Sequence, residues 1–376
     1  MEFGVGGEVL SRHQDTLLEG RSITVKMINL GICGAGTILD AYAPAFEANR
    51  DRCCVKAIAV DSISRYKDRI VEKLGDQVEI YEGWDDMMAR SDIDAVIVNL
   101  PHDLHMPATV AAAKAGKHVL CEKVMARNTE ECRQMIQACE QAKVSLVIGH
   151  DRRYFPEWKA LKDIITSGKI GKVLFYKLEH NQNVIFPKNS WVFKAERLGG
   201  GAIMSCLTHQ IDALRWFDGE VDTLGCMSFT APERMEGECI GAIIAKMKSG
   251  ALATLSINWY TTSNRSQNGL WYEFIHVCGT DGEAYFMSEK GTYYKVHDAS
   301  DKALFEYALP ETQTGFIKVP TDETPPHTIL LTEWLKFLAG EEADIRTFGT
   351  DCIHTVEVAE AAYASRDRNC FVKLPL

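Results

Sequence analysis

Two side chains far apart in the chain have the chemistry to act on one hydroxyl group. The apolar run Val119-Leu120-Cys121 stops on Glu122 and Lys123. A solvated turn would account for an acid and a base at that point, and so would a strand end that faces a ligand. A lysine so placed can hydrogen-bond a substrate hydroxyl and favour its alkoxide character. Glu122 can hold a ribose or the lysine. The other side chain is His209, which follows Gly199-Gly200-Gly201 within an apolar helical pattern of Ile203, Met204, Leu207, Ile211 and Leu214. A lone histidine on an amphipathic helix is usually structural, but an imidazole titrates near neutrality and suits the removal of a hydroxyl proton. Ser205 and Asp212 share its helix face. Asp212 could hold a substrate or form a surface pair.

A phosphate site precedes them. In "INLGICGAGTI", Gly34 and Gly36 let the backbone approach a pyrophosphate, and a helix starting near Thr37 and Ile38 points free amides there. The strict G-x-G-x-x-G pattern fails, because Leu39 occupies the third glycine's place. Asp61, followed by Ser62, ends the next strand. A carboxylate there accepts from both ribose hydroxyls and repels a 2′-phosphate, which favours NAD over NADP.

These residues need a scaffold that gathers strand ends. Strands at Thr24–Leu30, Val55–Val60, Val96–Leu100, Lys117–Cys121 and Val144–Ile148 alternate with helical stretches such as Met106–Ala115 and Thr129–Gln141. That alternation implies a doubly wound parallel sheet, a Rossmann arrangement, whose ligands bind at the carboxyl ends of its strands. After Gly171 the texture changes to long strands and tight turns around Lys248-Ser249-Gly250 and Gly279–Gly282, followed by "GTYYKVHD", "ALFEYALP" and "GFIKVP". This predicts a mostly antiparallel open sheet. Helical patterns at Thr328–Leu338 and Asp351–Ser365 are expected to pack back on the first domain. The division is an arm over 1–23, a dinucleotide-binding α/β domain over 24–150, and an α+β substrate and oligomerisation domain over 151–376. The arm fits no element, and Met27 could itself be a start.

Composition narrows the function. The chain has 376 residues, 46% hydrophobic and 25% charged, more than one ordinary core accommodates. It has no apolar run long enough for a membrane span and no signal-peptide pattern. A net charge of −11 makes nucleic acid an unfavourable partner. Twelve scattered cysteines form no C-x-x-C pair, which argues against structural zinc and for free thiols in a reducing cytoplasm. No metal is expected.

Five segments in order resemble the Gfo/Idh/MocA oxidoreductases, which include glucose–fructose oxidoreductase and inositol dehydrogenase. They are "GICGAGTI"; "NLPHDLH", Asn99–His105; "CEKVMARN"; "GHDRRYFPEWKALKDIITSGKIGKV", Gly149–Val173; and "WVFKAERLGGGAIMSCLTHQIDALRWF", Trp191–Phe217. The resemblance implies an NAD-dependent enzyme with Lys123 and His209 as the catalytic pair. Asn99, Pro101, His105, Glu122, Lys123 and Arg152 would lie beside the cofactor. His105 could instead cap its helix. Arg153, Tyr154, Trp191, Ser205 and Asp212 are candidates for the substrate, although either arginine could bridge the domains and Trp191 could be core. His180, Asn181 and Asn183, at a strand end, are polar enough to read hydroxyls. The family usually has proline where this chain has Val124, and aspartate four residues before the histidine where it has Ser205. Serine lacks the charge that raises an imidazole's basicity.

The implied substrate is a sugar, glycoside or polyol oxidised at a secondary hydroxyl, with carbon 3 of a glucosyl ring as the leading position. Two alternatives stand beside it. One is glycoside cleavage by transient oxidation and elimination; the other is a non-enzymatic NAD-binding regulator. The resemblance also implies a homo-oligomer joined through the outer face of the second sheet.

Overall fold

The computed structural model describes residues 26–261, 271–297 and 315–376. The expected arm over 1–23 and the strand at "ALFEYALP" fall outside them. Strands β1 (Ile28–Cys33), β2 (Cys53–Val60), β3 (Glu79–Glu82), β4 (Ala95–Val98), β5 (His118–Glu122) and β6 (Leu146–Gly149) form a parallel sheet in the order β3-β2-β1-β4-β5-β6. The direction of winding reverses between β1 and β4, so the carboxyl ends of those two strands flank a crevice. Helices α1 (Leu39–Ala48), α2 (Ile63–Leu74), α3 (Asp85–Met88), α4 (His102–Lys114) and α5 (Thr129–Ala142) form the crossovers. β4 and β6 are buried at every residue, as strands covered on both faces must be. β3, with the sequence EIYE, is a half-exposed edge; it lacks the apolar run that marks the others, and no strand was expected there.

The chain leaves β6 through a 3₁₀ turn, Asp151–Tyr154, and α6 (Pro156–Thr166). It then enters β7 (Val173–Gln182) of a nine-stranded sheet. Short α7 (Ala195–Leu198), a π-helical stretch Ile203–Leu207 and α8 (Thr208–Asp218) come next. The sheet continues with β8 (Val221–Phe229), β9 (Ile240–Met247), β10 (Leu252–Asn258), β11 (Trp271–Gly279), β12 (Gly282–Met287), β13 (Gly291–Val296) and β14 (Ile317–Lys318). Its order is β14-β13-β12-β11-β7-β10-β9-β8-β15, where β15 is Val372–Lys373. Among the described residues only the β7–β10 pair is parallel; the rest is antiparallel, as the hairpin spacing predicts. Buried and exposed positions alternate along β9, so one face packs on helices and the other carries exposed Met227, Phe229, Ile244 and Leu252.

Two further helices tie the sheets together. Leu330, Leu331, Trp334 and Leu335 of α9 (Pro326–Leu338) share a core with Leu30 and Ile32 of β1 and Tyr42 of α1. α10 (Gly349–Arg368) buries Cys352, Val356 and Ala359 in the other core, which continues under the nine-stranded sheet. Among the described residues no helix is long and apolar enough to cross a membrane.

Candidate active site

β5 delivers Glu122 and Lys123 to the carboxyl edge of the parallel sheet, and the Lys123–Val124 peptide is cis although residue 124 is not proline. The Lys123 ammonium crosses to the second half of the molecule and donates to the Ser205 carbonyl at 3.0 Å. Ser205 lies in the π-helical stretch that leads into α8. A π turn shifts the usual i→i+4 pairing and frees carbonyls, and such turns recur at functional sites. The lysine thus contacts the backbone one helical turn before His209. His209 is 7% exposed, and its Nδ1 lies 3.6 Å from Asp151 Oδ1. Burial first, then the positive charges of Lys123, Arg152, His150 and His180, hold its pKa well below the ordinary histidine value. A neutral ring near neutral pH is the form that accepts a proton.

A buried polar network supports this pair. Arg152 donates to Asp151 Oδ2 at 2.7 Å and pairs with Glu273 at 3.2 Å, joining the end of β6 to β11. Gln210 donates to the same Glu273 at 2.9 Å, and His180 lies 3.3 Å from it. Burial pushes the Glu273 carboxyl up, but Arg152 and His180 outweigh it and hold it at about 2. Beside this cluster, Arg153 grips both oxygens of Asp212 at 2.8 and 2.7 Å. Burial again opposes ionisation of Asp212, and Arg153 with His150 and Arg215 brings it to about 2. Burial raises Glu122, with His327 and the Tyr42 hydroxyl opposing; that hydroxyl donates to it at 2.8 Å.

Several expected contacts have other work. Arg153 and Asp212, candidates for the substrate, are each other's partners; Asp212 is wholly buried, and Arg153 also donates to the Arg346 carbonyl. They brace α8 against the turn after β6. Arg152 has its donors on Asp151 and Glu273 rather than free for a nicotinamide amide. The Tyr154 hydroxyl accepts from the Arg346 amide, and its ring is 1% exposed in the α9 core. His105 neither caps its helix nor faces open space: its ring nitrogens lie 2.8 Å from the carbonyls of Val124 and Leu100, so it ties together the segments after β4 and β5. Trp191 is half-buried and meets His102 edge-on at 5.0 Å. The Asn183 side chain accepts from Arg234. Asp151 and Glu273 are not among the residues the sequence marks for the site. Glu273 had a usable signal, since it shares the inward row of β11 with Ile275 and Val277, and a carboxylate in an apolar row needs a partner.

The dinucleotide cradle is built at the switch point. Gly34 has φ +97°, and a Cβ there would sit 2.3 Å from the Asn99 carbonyl. Asn99 is buried at the end of β4 with neither atom of its side-chain amide partnered among the described residues. Buried amides are normally satisfied, so this one suits a ligand. Gly36 and Thr37 are exposed and Ile38 half-buried before the uncapped start of α1, Pro101 precedes α4, and Asp61 and Ser62 lie between β2 and α2. This set fits NAD: glycines for the pyrophosphate, a carboxylate for the ribose. A Cβ on Gly36 would meet no protein atom within 4 Å. Gly36→Ala should therefore leave thermal unfolding unchanged and weaken NADH binding about tenfold or more, because the second glycine lets backbone approach the pyrophosphate. Fluorescence titration with NADH checks this; unchanged affinity would remove the cradle.

Among the described residues two trios of metal-ligand atoms lie within 4.8 Å of one another: His150, Asp212 and Cys352, and His276, Cys278 and Glu283. In the first the carboxylate is taken by Arg153; in the second His276 and Glu283 already bond at 2.7 Å.

His102, His105, His150 and His209 are all buried, and burial is the leading cause that lowers each. Their folded pKa values lie below the unfolded value of about 6.5. Unfolding therefore takes up protons, and their contribution to stability is present above about pH 6.5 and lost below it, by up to about 1.4 kcal/mol per pH unit for each ring. Asp212 and Glu273 extend the loss from about pH 4 towards 2. The urea midpoint should fall clearly between pH 7.5 and 5.5; a constant midpoint would contradict this burial.

Comparison with known proteins places the chain. Residues 28–150 match a family described as "Oxidoreductase family, NAD-binding Rossmann fold", and residues 158–285 match "GFO/IDH/MocA C-terminal domain". The 1,5-anhydro-D-fructose reductase of Ensifer adhaerens is 34% identical over 132 residues, 35% of this chain and 40% of that protein. Levoglucosan dehydrogenase of Pseudarthrobacter phenanthrenivorans is 24% identical over 308 residues, 73% of this chain and 77% of that protein. A levoglucosan dehydrogenase structure in complex with NADH and levoglucosan superposes with a TM-score of 0.80 at 22% identity, over 93% of this chain and 100% of that one. This likeness shows the fold.

Proposed function

Because the chain belongs to the GFO/IDH/MocA oxidoreductase family, we propose that it is an NAD-dependent dehydrogenase that oxidises a secondary hydroxyl of a sugar, glycoside or polyol. The observation that carries this reading is the contact of the Lys123 ammonium with Ser205 on the approach to His209. That contact brings an amine from one half of the molecule to the backbone one helical turn before the imidazole in the other. Asn99, Gly34, Gly36 and Asp61 would hold the dinucleotide at the carboxyl edge of the parallel sheet, and NAD bound there supplies a hydride acceptor. His209 takes the hydroxyl proton. Lys123 turns from the Ser205 carbonyl to donate to the hydroxyl oxygen as negative charge builds on it. His105, Arg152 and Glu273 hold the strand ends and the turn that carry these groups.

Relatives named for levoglucosan and anhydrofructose support a cyclic sugar substrate, and carbon 3 of a glucosyl ring is the leading position. The exposed apolar row on the second sheet supports a homo-oligomer. Twelve free cysteines support a reducing, cytoplasmic location.

The test is a panel of levoglucosan, myo-inositol, glucose and alkyl glucosides with NAD, followed by NADH absorbance and mass spectrometry. The reading expects a product two hydrogens lighter and one NADH per turnover. Aglycone released without NADH would replace it with glycoside cleavage. Tight NAD binding with no reaction across the panel would replace it with a regulator.

A further inference from the structure

The chain lacks the carboxylate that the resemblance places four residues before the histidine. Ser205 stands there, and among the described residues the one hydrogen-bond partner of its hydroxyl is the Cys206 sulfur, at 3.9 Å. Yet an imidazole that becomes cationic when it takes a proton needs a partner, and its surroundings are unfavourable. Lys123 approaches from the end of β5, His150 and Arg152 from the end of β6, and His180 from β7. Glu273 of β11 is already paired with Arg152. Among the described residues the carboxylate paired with the ring is Asp151, at the first position of the turn after β6. Its Oδ2 is anchored by Arg152 at 2.7 Å, and its Oδ1 lies 3.6 Å from His209 Nδ1. That nitrogen is buried and has no hydrogen-bond partner among the described residues. A small turn of the ring closes the gap, as catalytic hydrogen bonds do on going from the free enzyme to its complexes.

We propose that Asp151 is the positioning residue of the reaction: it holds His209 in the Nδ1–H tautomer, leaves Nε2 as the base, and so replaces from the parallel sheet the carboxylate missing at Ser205. The inference rests on the dehydrogenase reading. The substrate proton moves from the hydroxyl to Nε2, the Nδ1 proton stays on the ring against Asp151 Oδ1, and the imidazolium then releases its proton to solvent. Which ring nitrogen is protonated follows from the partner of the other.

Two measurements test it. Nitrogen-15 histidine spectra of the full chain with NADH, with His209→Gln used for assignment, read the tautomer directly. Nδ1–H is expected, and Nε2–H would overturn the proposal whatever the enzyme does with sugars. The second is Asp151→Asn with the sugar of the panel that turns over fastest. It should lower kcat about a hundredfold, keep NADH affinity, and move the acid limb of kcat/KM to lower pH, because the imidazolium loses its partner. Adding Ser205→Asp should recover at least about tenfold of that loss by restoring a carboxylate one helical turn away. An Asp151→Asn enzyme with unchanged kcat and an unmoved acid limb would overturn the proposal, as would a Ser205→Asp addition that recovers nothing.

Discussion

Lys123→Met will lower turnover about a thousandfold while NADH affinity stays within a few-fold of the parent enzyme. The magnitude combines two effects. A positioned proton donor contributes about 10²–10⁴-fold, and a donor aimed at a developing oxyanion contributes about 10²–10³-fold. They overlap here because one ammonium supplies both. Dinucleotide affinity survives because the groups proposed to hold the pyrophosphate and ribose, Gly34, Gly36 and Asp61, lie at other strand ends. Methionine retains much of the stem volume and loses the donor to the Ser205 carbonyl. That carbonyl also takes a weak contact from the Thr208 hydroxyl at 3.4 Å, so it keeps a partner. Steady-state kinetics with the best sugar and a parallel NADH titration measure both quantities. Equal loss of affinity and turnover would mean that Lys123 binds cofactor rather than working on the hydroxyl.

Asp212→Ala should be the most damaging change to stability, by about 3–5 kcal/mol. Asp212 is wholly buried, both its oxygens face Arg153, and the Thr355 hydroxyl of α10 donates to it at 3.0 Å. Its removal leaves a buried guanidinium short of charge and disconnects three elements: α8, α10 and the turn after β6. Asp351 also pairs with Arg153, at 2.7 Å, but its side chain is 45% exposed. It also meets Arg215 at 3.0 Å, but Asp212 still holds Arg153 and Glu220 still holds Arg215 without it, so Asp351→Ala should cost clearly less, about 1–2 kcal/mol. Urea unfolding of both variants at pH 7.5 gives the comparison, and similar losses would mean that Arg153 relies on its solvent-side partner.

What could be read from the chain was local. Gly34, Gly36 and Asp61 stand out because a tight turn, a backbone approach and a strand end each restrict residue type within a few positions. Lys123 stands out because a charge directly follows an apolar run. The partnerships could not be read. Arg152 meets Glu273 across 121 positions and Arg153 meets Asp212 across 59, and no periodicity records which acid an arginine will reach. For that reason the sequence leaves Arg153 and Asp212 open between substrate contact and ion pair, whereas in the structure they pair with each other in the interior. Nor does anything local show that the His105 ring spans two loop carbonyls. β3 escaped because an edge strand exposed on one side needs no apolar run. Ser205 was visible as a departure, but the carboxylate beside His209 comes from another strand end.

The most direct test is a double-mutant cycle of Lys123→Met and His209→Ala in single-turnover NADH formation. If the amine and the imidazole serve one hydroxyl, either loss disables the same step, and the double variant should be no slower than about the slower single variant. Losses that multiply, each variant retaining its full effect in the other's background, would contradict their convergence on one reacting group.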